Sequence, residues 1–273
     1  MKRYLTLALA VAAVAPASAS AWAPADTATI HPGVMTYTEG AQCTANFVFT
    51  DGGSTYIGQA AHCSGTGAST DTNGCLAQSL PEGTPVEVDG ASKPGVMVYN
   101  SWIRMQAAGE DPNTETCEYN DLALIRLDPA DVGSVNPSVP GWGGPTGVGS
   151  LGDTGADTYT YGNSSLRGGV TVLSPKQGTV IERSPEGWST TVYTATPGIP
   201  GDSGSGFLNE NGQAAGVLST VAIAPLAGSN GVGDLPKEIA YMQSHGGPAA
   251  NVVNGTEPFQ TSLGAAIGSQ LGL

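Results

Sequence analysis

Charge is scarce in this chain. Of its 273 residues 12% are charged, and nine Lys plus Arg stand against 23 Asp plus Glu. Globular domains usually carry about twice that fraction of charge. Long solvated helices and a disordered chain are therefore both disfavoured. The formal net charge of −14 repels phosphate backbones and argues against a nucleic-acid partner. Beyond the N-terminus no run is long and apolar enough to span a bilayer, so no membrane partner is expected. Aromatics make up 6% of the chain, and there are three histidines and four cysteines. Glycine and proline are abundant instead, at 40 and 19 residues. That balance disfavours helical bundles and suits an all-β protein with many turns. The length allows one large or two small domains with a real core.

The N-terminus reads as a targeting segment. Lys2 and Arg3 precede an apolar stretch from Tyr4 to Ala15, and small residues follow from Ala17 to Ala21. This is a charged n-region, an h-region and an A-x-A site, so residues 1–21 are expected to be a secretory signal with cleavage after Ala19 or Ala21. Export implies oxidising conditions, and four cysteines then imply two disulfides. Three pairings are open at this level. Cys43, Cys63, Cys75 and Cys117 lack CxxC spacing, so a zinc site is not expected.

Short strand-like runs are spread along the remaining chain. Gln42–Ile57 alternates around Asp51-Gly52-Gly53, a hairpin signal. Further strands are expected at Pro85–Val88, Gly95–Met105, Leu122–Leu127, Tyr159–Tyr161, Gly169–Leu173, Gly178–Arg183, Ser189–Thr194 and Gly216–Ile223. Such spacing with Gly/Pro punctuation suggests barrels or sandwiches. Asp128–Ser150 is aperiodic and reads as the connection between two β-domains. One stretch is expected to be helical, about 235–245: Asp234 can cap it, Pro236 suits its first turn, and Leu235, Ile239 and Met242 share a face. The tail from Asn251 to Leu273 carries no signal.

Three segments carry chemistry. His62 lies in Gln59-Ala60-Ala61-His62-Cys63, among small neighbours that would let an imidazole project. Asp121 opens the apolar strand 121–127, where a buried carboxylate needs a partner such as an imidazole N–H. Ser203 sits in Gly201-Asp202-Ser203-Gly204-Ser205-Gly206, a turn whose glycines clear space for a substrate and whose N–H groups can converge on an oxyanion. Each alone also suits a bland role: a buried histidine, a loop aspartate, a surface turn.

Together the segments AAHC (60–63), NDLALIRL (120–127) and GDSGSG (201–206) resemble the chymotrypsin/trypsin-like serine peptidases, particularly their secreted bacterial branch. The order His, Asp, Ser is that family's order, not that of subtilisin or the α/β-hydrolases. The resemblance covers about 30–223. It implies an all-β fold of two antiparallel Greek-key barrels with the active site between them. Residues 22–138 would form the barrel carrying His62 and Asp121, and 139–273 the barrel carrying Ser203. It implies a catalytic triad of His62, Asp121 and Ser203, with the N–H groups of Gly201 and Ser203 as oxyanion hole. It implies Cys43–Cys63, leaving Cys75–Cys117. Pro197 would lie at the base of the primary pocket, where trypsin-type members carry an acid, and Ser219, Thr220 and Val221 along its wall. Leu218 stands where glutamate-specific members have His. A preference for small or medium apolar residues is expected, with protein or peptide substrates, no cofactor, no metal and a monomeric state.

Two features depart from the family pattern. No Ile-Val-Gly-Gly activation sequence occurs before Ala41, so Asp202 is either solvated or needs another partner, for which Arg167 is a candidate. The segment before His31 is too short for a large folding pro-domain. Two other classes compete: a non-catalytic secreted binding protein on the same scaffold, and an esterase. GxSxG fails for the esterase because residue 205 is Ser. The acids Glu110, Asp111, Glu115 and Glu118 near Cys117 meet no calcium-loop spacing. Peptide mapping without reductant checks the pairing: a Cys43 peptide joined to Cys75 or Cys117 overturns both disulfide assignments.

Overall fold

The computed structural model describes residues 22–68, 70–221 and 228–272; the expected signal segment, residues 1–21, lies outside them. The first half holds β1 (Met35–Thr38), β2 (Ala41–Thr44), β3 (Val48–Thr50), β4 (Thr55–Ala60), β5 (Pro85–Val88) and β6 (Gly95–Asn100). After helices α1 (Ser101–Ala108) and α2 (Glu115–Tyr119) comes β7 (Leu122–Arg126). The second half holds β8 (Asp157–Tyr161), β9 (Pro175–Arg183), β10 (Ser189–Thr194), β11 (Gly206–Asn209), β12 (Ala214–Val221) and β13 (Asn230–Asp234). Helix α3 (Leu235–Ser244), the short β14 (Asn251–Val252) and helix α4 (Leu263–Gln270) end the chain.

The two halves close differently. The second is a closed antiparallel barrel in the order β10-β13-β12-β11-β8-β9. The first is an eight-stranded sheet in the order β14-β3-β4-β7-β6-β5-β1-β2 rather than a ladder closed all round. It still curls on itself, because β2 and β3, near its opposite ends, are separated only by Ala45–Phe47. Across that junction Asn46 N–H donates to Gly58 O at 2.8 Å, and Gly58 N–H to Phe47 O at 3.0 Å. A methyl on Gly58 would lie within 2.9 Å of the Phe49 ring and closer still to Asn46, so the bend needs glycine there.

Two expected strands take other forms. Gly95–Met105 is a strand only to Asn100. The Asn100 side chain then accepts from Trp102 N–H at 2.9 Å and Ile103 N–H at 3.5 Å, an N-cap that turns the chain into α1. Gly169–Leu173 is an irregular segment ending in a 3-10 turn at Thr171–Leu173, because Gly168 and Gly169 both adopt left-handed φ. The expected helix spans Leu235–Ser244, with Asp234 accepting from Lys237 N–H at 3.2 Å. α1, α2 and α4 carry no strong signal: α1 and α4 are eight residues each and α2 is five.

The tail crosses back to the first half. β14 pairs with β3, Asn251 opposite Thr50. Gln260 N–H donates to Trp142 O at 2.9 Å, Tyr161 hydroxyl donates to Gln270 Oε1 at 2.8 Å, and Ala266 packs on Gly141. Trp142, fully buried, sits at this junction with its indole N–H on Thr160 O at 2.9 Å. One apolar cluster runs through both halves, from Phe47 and Leu124 to Val217 and Met242. Replacing Trp142 with Ala should lower unfolding free energy by about 3–5 kcal/mol; urea denaturation of the purified variant measures it, and a loss below 1 kcal/mol contradicts this packing.

Candidate active site

His62 stands on a 3-10 turn, Ala61–Ser64, directly after β4. Two bonds hold that turn: Asn100 Nδ2 donates to Ala61 O at 3.1 Å, and Ala61 N–H donates to Asp121 O at 2.9 Å. The disulfide Cys43–Cys63 ties it to β2. The second bridge, Cys75–Cys117, ties the loop after the turn to α2.

Asp121 lies between α2 and β7 and is 1% exposed. Its Oδ1 accepts from the backbone N–H of His62 at 2.9 Å. Its Oδ2 meets His62 Nδ1 at 2.7 Å and accepts from the Ser219 hydroxyl at 2.5 Å. The carboxylate is thus bound at both oxygens, which compensates its burial. Burial lowers the imidazole pKa, but the Asp121 charge and hydrogen bond outweigh it and hold His62 above its ordinary 6.5. With Nδ1 engaged, Nε2 is the nitrogen left for other chemistry.

Ser203 occupies a turn between the halves. Thr44 N–H donates to Ser203 O at 2.8 Å, and Gly204 N–H to Leu218 O at 2.7 Å. Gly204 has φ +87° and lies so close to Thr44 O and Ala60 N that any side chain would clash. Gly201 has φ +95°; its carbonyl accepts from Thr44 Oγ1 at 2.7 Å and Gln42 Nε2 at 3.0 Å. Among the described residues no acceptor takes the N–H of Gly201 or of Ser203.

His62, Gly201 and Ser203 line one cleft of about 690 Å³ between the halves. No hydrogen bond joins Ser203 Oγ to His62, a contact that in such sites often tightens only with substrate. Leu218, Ser219 and Thr220 line the same cleft, with Trp102 on the imidazole side, its ring centroid 6.4 Å from that of His62. Pro197 does not line this cleft; it sits beside Gly228. Val221 ends β12 opposite Asn230; its side chain and residues 222–227 lie outside the described residues.

Asp202, fully buried, is held by a bidentate Arg167 at 2.5 and 2.6 Å. Ile199 N–H donates to it at 3.1 Å, and Lys176 Nζ lies 3.6 Å away. Gly162 leaves room for the carboxylate, since a methyl there would approach it to 2.6 Å. Gln42, Thr44, Trp102 and Lys176 carried no sequence signal. Polar residues on a strand and a tryptophan on an unexpected helix look like any others until the halves meet.

No family model and no curated protein matches the chain. Solved structures do. Thermobifida fusca protease A is 21% identical, with 83% of this chain and 99% of that chain covered at a TM-score of 0.52. Cellulomonas bogoriensis chymotrypsin is 18% identical, covering 82% and 98% at a TM-score of 0.48. Nocardiopsis protease has the same identity, coverage and score.

Lys176 generates a testable pH dependence. Burial, partly offset by the Asp202 charge, pushes its pKa down to about 8. The unfolded chain keeps that proton to about pH 10.4. Between these values the unfolded state binds more protons, so the Lys176 contribution makes stability rise with pH. Lys176→Met should flatten that rise between pH 8 and 10, and Arg167→Met should cost about 3–5 kcal/mol by leaving Asp202 undercompensated. Urea melts at several pH values measure both; an unchanged slope in Lys176→Met refutes the first. In its fold, this chain is one of the chymotrypsin-like two-barrel proteins.

Proposed function

We propose that the chain is a serine endopeptidase acting through an acyl-enzyme. One observation carries this reading: the His62 imidazole, bound at Nδ1 by a buried Asp121, faces the same cleft as Ser203 and the two unclaimed N–H groups of its turn. Ser203 Oγ attacks the substrate carbonyl while His62 Nε2 takes its proton. Asp121 holds the tautomer and stabilises the imidazolium, and the Ser219 hydroxyl keeps Asp121 Oδ2 in place. The tetrahedral oxyanion accepts from Gly201 and Ser203 N–H. His62 then returns the proton to the leaving amine, and water releases the acyl group by the same route.

Arg167 takes over the task of a new N-terminus, since it neutralises Asp202 inside the turn that carries Ser203. The fold therefore needs no activating cleavage to pair that acid. A preference for small or medium apolar side chains goes with this reading, because Leu218, in the cleft wall, is itself apolar and offers no imidazole. Action outside the cell is supported by the signal pattern of residues 1–21 and by two disulfides.

A serine-directed fluorophosphonate should label the wild type at Ser203, and Ser203→Ala should lower kcat by about 10⁶-fold. kcat/KM should rise with pH through a group titrating above 6.5, because only neutral His62 accepts the serine proton. No labelling with full retention of peptide binding supports the non-catalytic binder instead.

A further inference from the structure

Glu238 is an acid beside Asp121 that the triad does not use. It belongs to α3 and is fully buried. Its Oε1 reaches out of the helix to accept the backbone N–H of Asp121 at 2.9 Å. We propose that Glu238 is a positioning residue for the triad, fixing the Asp121 peptide from behind and so the direction in which that carboxylate meets His62.

The geometry leaves the Asp121 backbone no slack. Its carbonyl is held by Ala61 N–H at 2.9 Å, on the turn that carries His62. Among the described residues its N–H is held by Glu238 alone. Both ends of the residue are therefore fixed, one by the imidazole's own turn and the other by α3. The approach of Glu238 is built in by Gly233 on β13: a methyl there would lie 2.5 Å from Glu238 Oε1 and 3.1 Å from Tyr119 O.

The surroundings of Glu238 favour its neutral form. No cation pairs with it among the described residues. The charged groups around it are Asp121 from the α2–β7 junction and Asp234 at the start of α3, the latter engaged with Arg183 of β9 at 2.6 Å. Tyr99 of β6 is the titratable group on its remaining side, and its own hydroxyl is unpartnered. Burial pushes the Glu238 carboxyl well above its ordinary 4.5, and the Asp121 and Asp234 charges push the same way. A neutral acid can accept at Oε1 without placing a second anion beneath the imidazole. Its other oxygen, Oε2, has no partner.

This role rests on the proposed triad, so the test carries one readout that does not need catalysis. Wild type, E238A, E238Q and G233A are compared by kcat and KM on a peptide and by NMR titration of His62. E238A removes the acceptor, and G233A displaces it while keeping the glutamate. Both should lower kcat by about ten- to a hundredfold at unchanged KM. Both should move the His62 titration, and the acid limb of kcat, to lower pH, since a misdirected Asp121 stabilises imidazolium less. E238Q keeps an uncharged acceptor at the same place and should restore both readouts to near wild type.

The proposal is overturned if E238A and G233A leave kcat and the His62 titration unchanged and lower only the melting temperature. The neutral-acid form is overturned if E238Q shifts the His62 titration as far as E238A does. Should E238A fail to fold, G233A against E238Q decides by the same readouts. A wild type that hydrolyses nothing while the His62 titration still moves in G233A sinks the peptidase reading and leaves the positioning role standing.

Discussion

A carboxylate taken out of water is the constraint from which this site is built. Asp121 is 1% exposed, and among the described residues no lysine or arginine pairs with it. Its charge is balanced by directed donors: a peptide N–H, a hydroxyl and an imidazole. These come from the His62 turn and from β12, so the two halves of the chain must meet before the acid is satisfied. An unpaired buried charge costs several kcal/mol, and that penalty ties folding of the cleft to assembly of the chemistry it holds.

The same problem recurs in other buried acids, and Asp202 and Glu238 meet it differently. Asp202 takes two of the nine cations in the chain, Arg167 in a bidentate pair and Lys176 nearby. Glu238 takes none among the described residues, and burial and neighbouring negative charge push its carboxyl well above its ordinary 4.5. Asp121 is thus met by hydrogen-bond donors where Asp202 is met by cations.

The halves are joined by more than the cleft. β14 returns from the end of the chain to the edge of the first sheet, and α4 closes over the connection near Trp142. Gln42 and Thr44, from the first half, hold the carbonyl of Gly201 in the second. The turn that carries Ser203 is thus shaped partly by residues about 160 positions earlier in the chain. Cutting the chain into two autonomous barrels would remove these supports.

Local chemistry made much of this protein legible. Ser189–Thr194 and Pro85–Val88 are strands because both are rich in β-branched residues between turn signals, and these are properties of a few adjacent residues. The same holds for α3, where Asp234, Pro236 and a period of 3.6 coincide. The segments around His62, Asp121 and Ser203 stood out because each combines a reactive side chain with small or apolar neighbours. Elements that depend on a cap or on distant packing did not. Asn100 diverts a strand into α1 with one side chain, and α4 is stabilised by contact with Gly141 and Tyr161 rather than by its own periodicity.

By itself, then, the sequence determined the β-rich class, the strands with their own alternation, the capped helix and the three reactive residue types in order. Which side chains meet was decided only in three dimensions. The curl of the first sheet, the support of Gly201 by Gln42 and Thr44, the Arg167–Asp202 pair and the contact of Glu238 with Asp121 all link residues tens to over a hundred positions apart. Side-chain type and local period are encoded residue by residue, whereas a contact depends on how sheets curl and pack, which no short stretch of chain specifies.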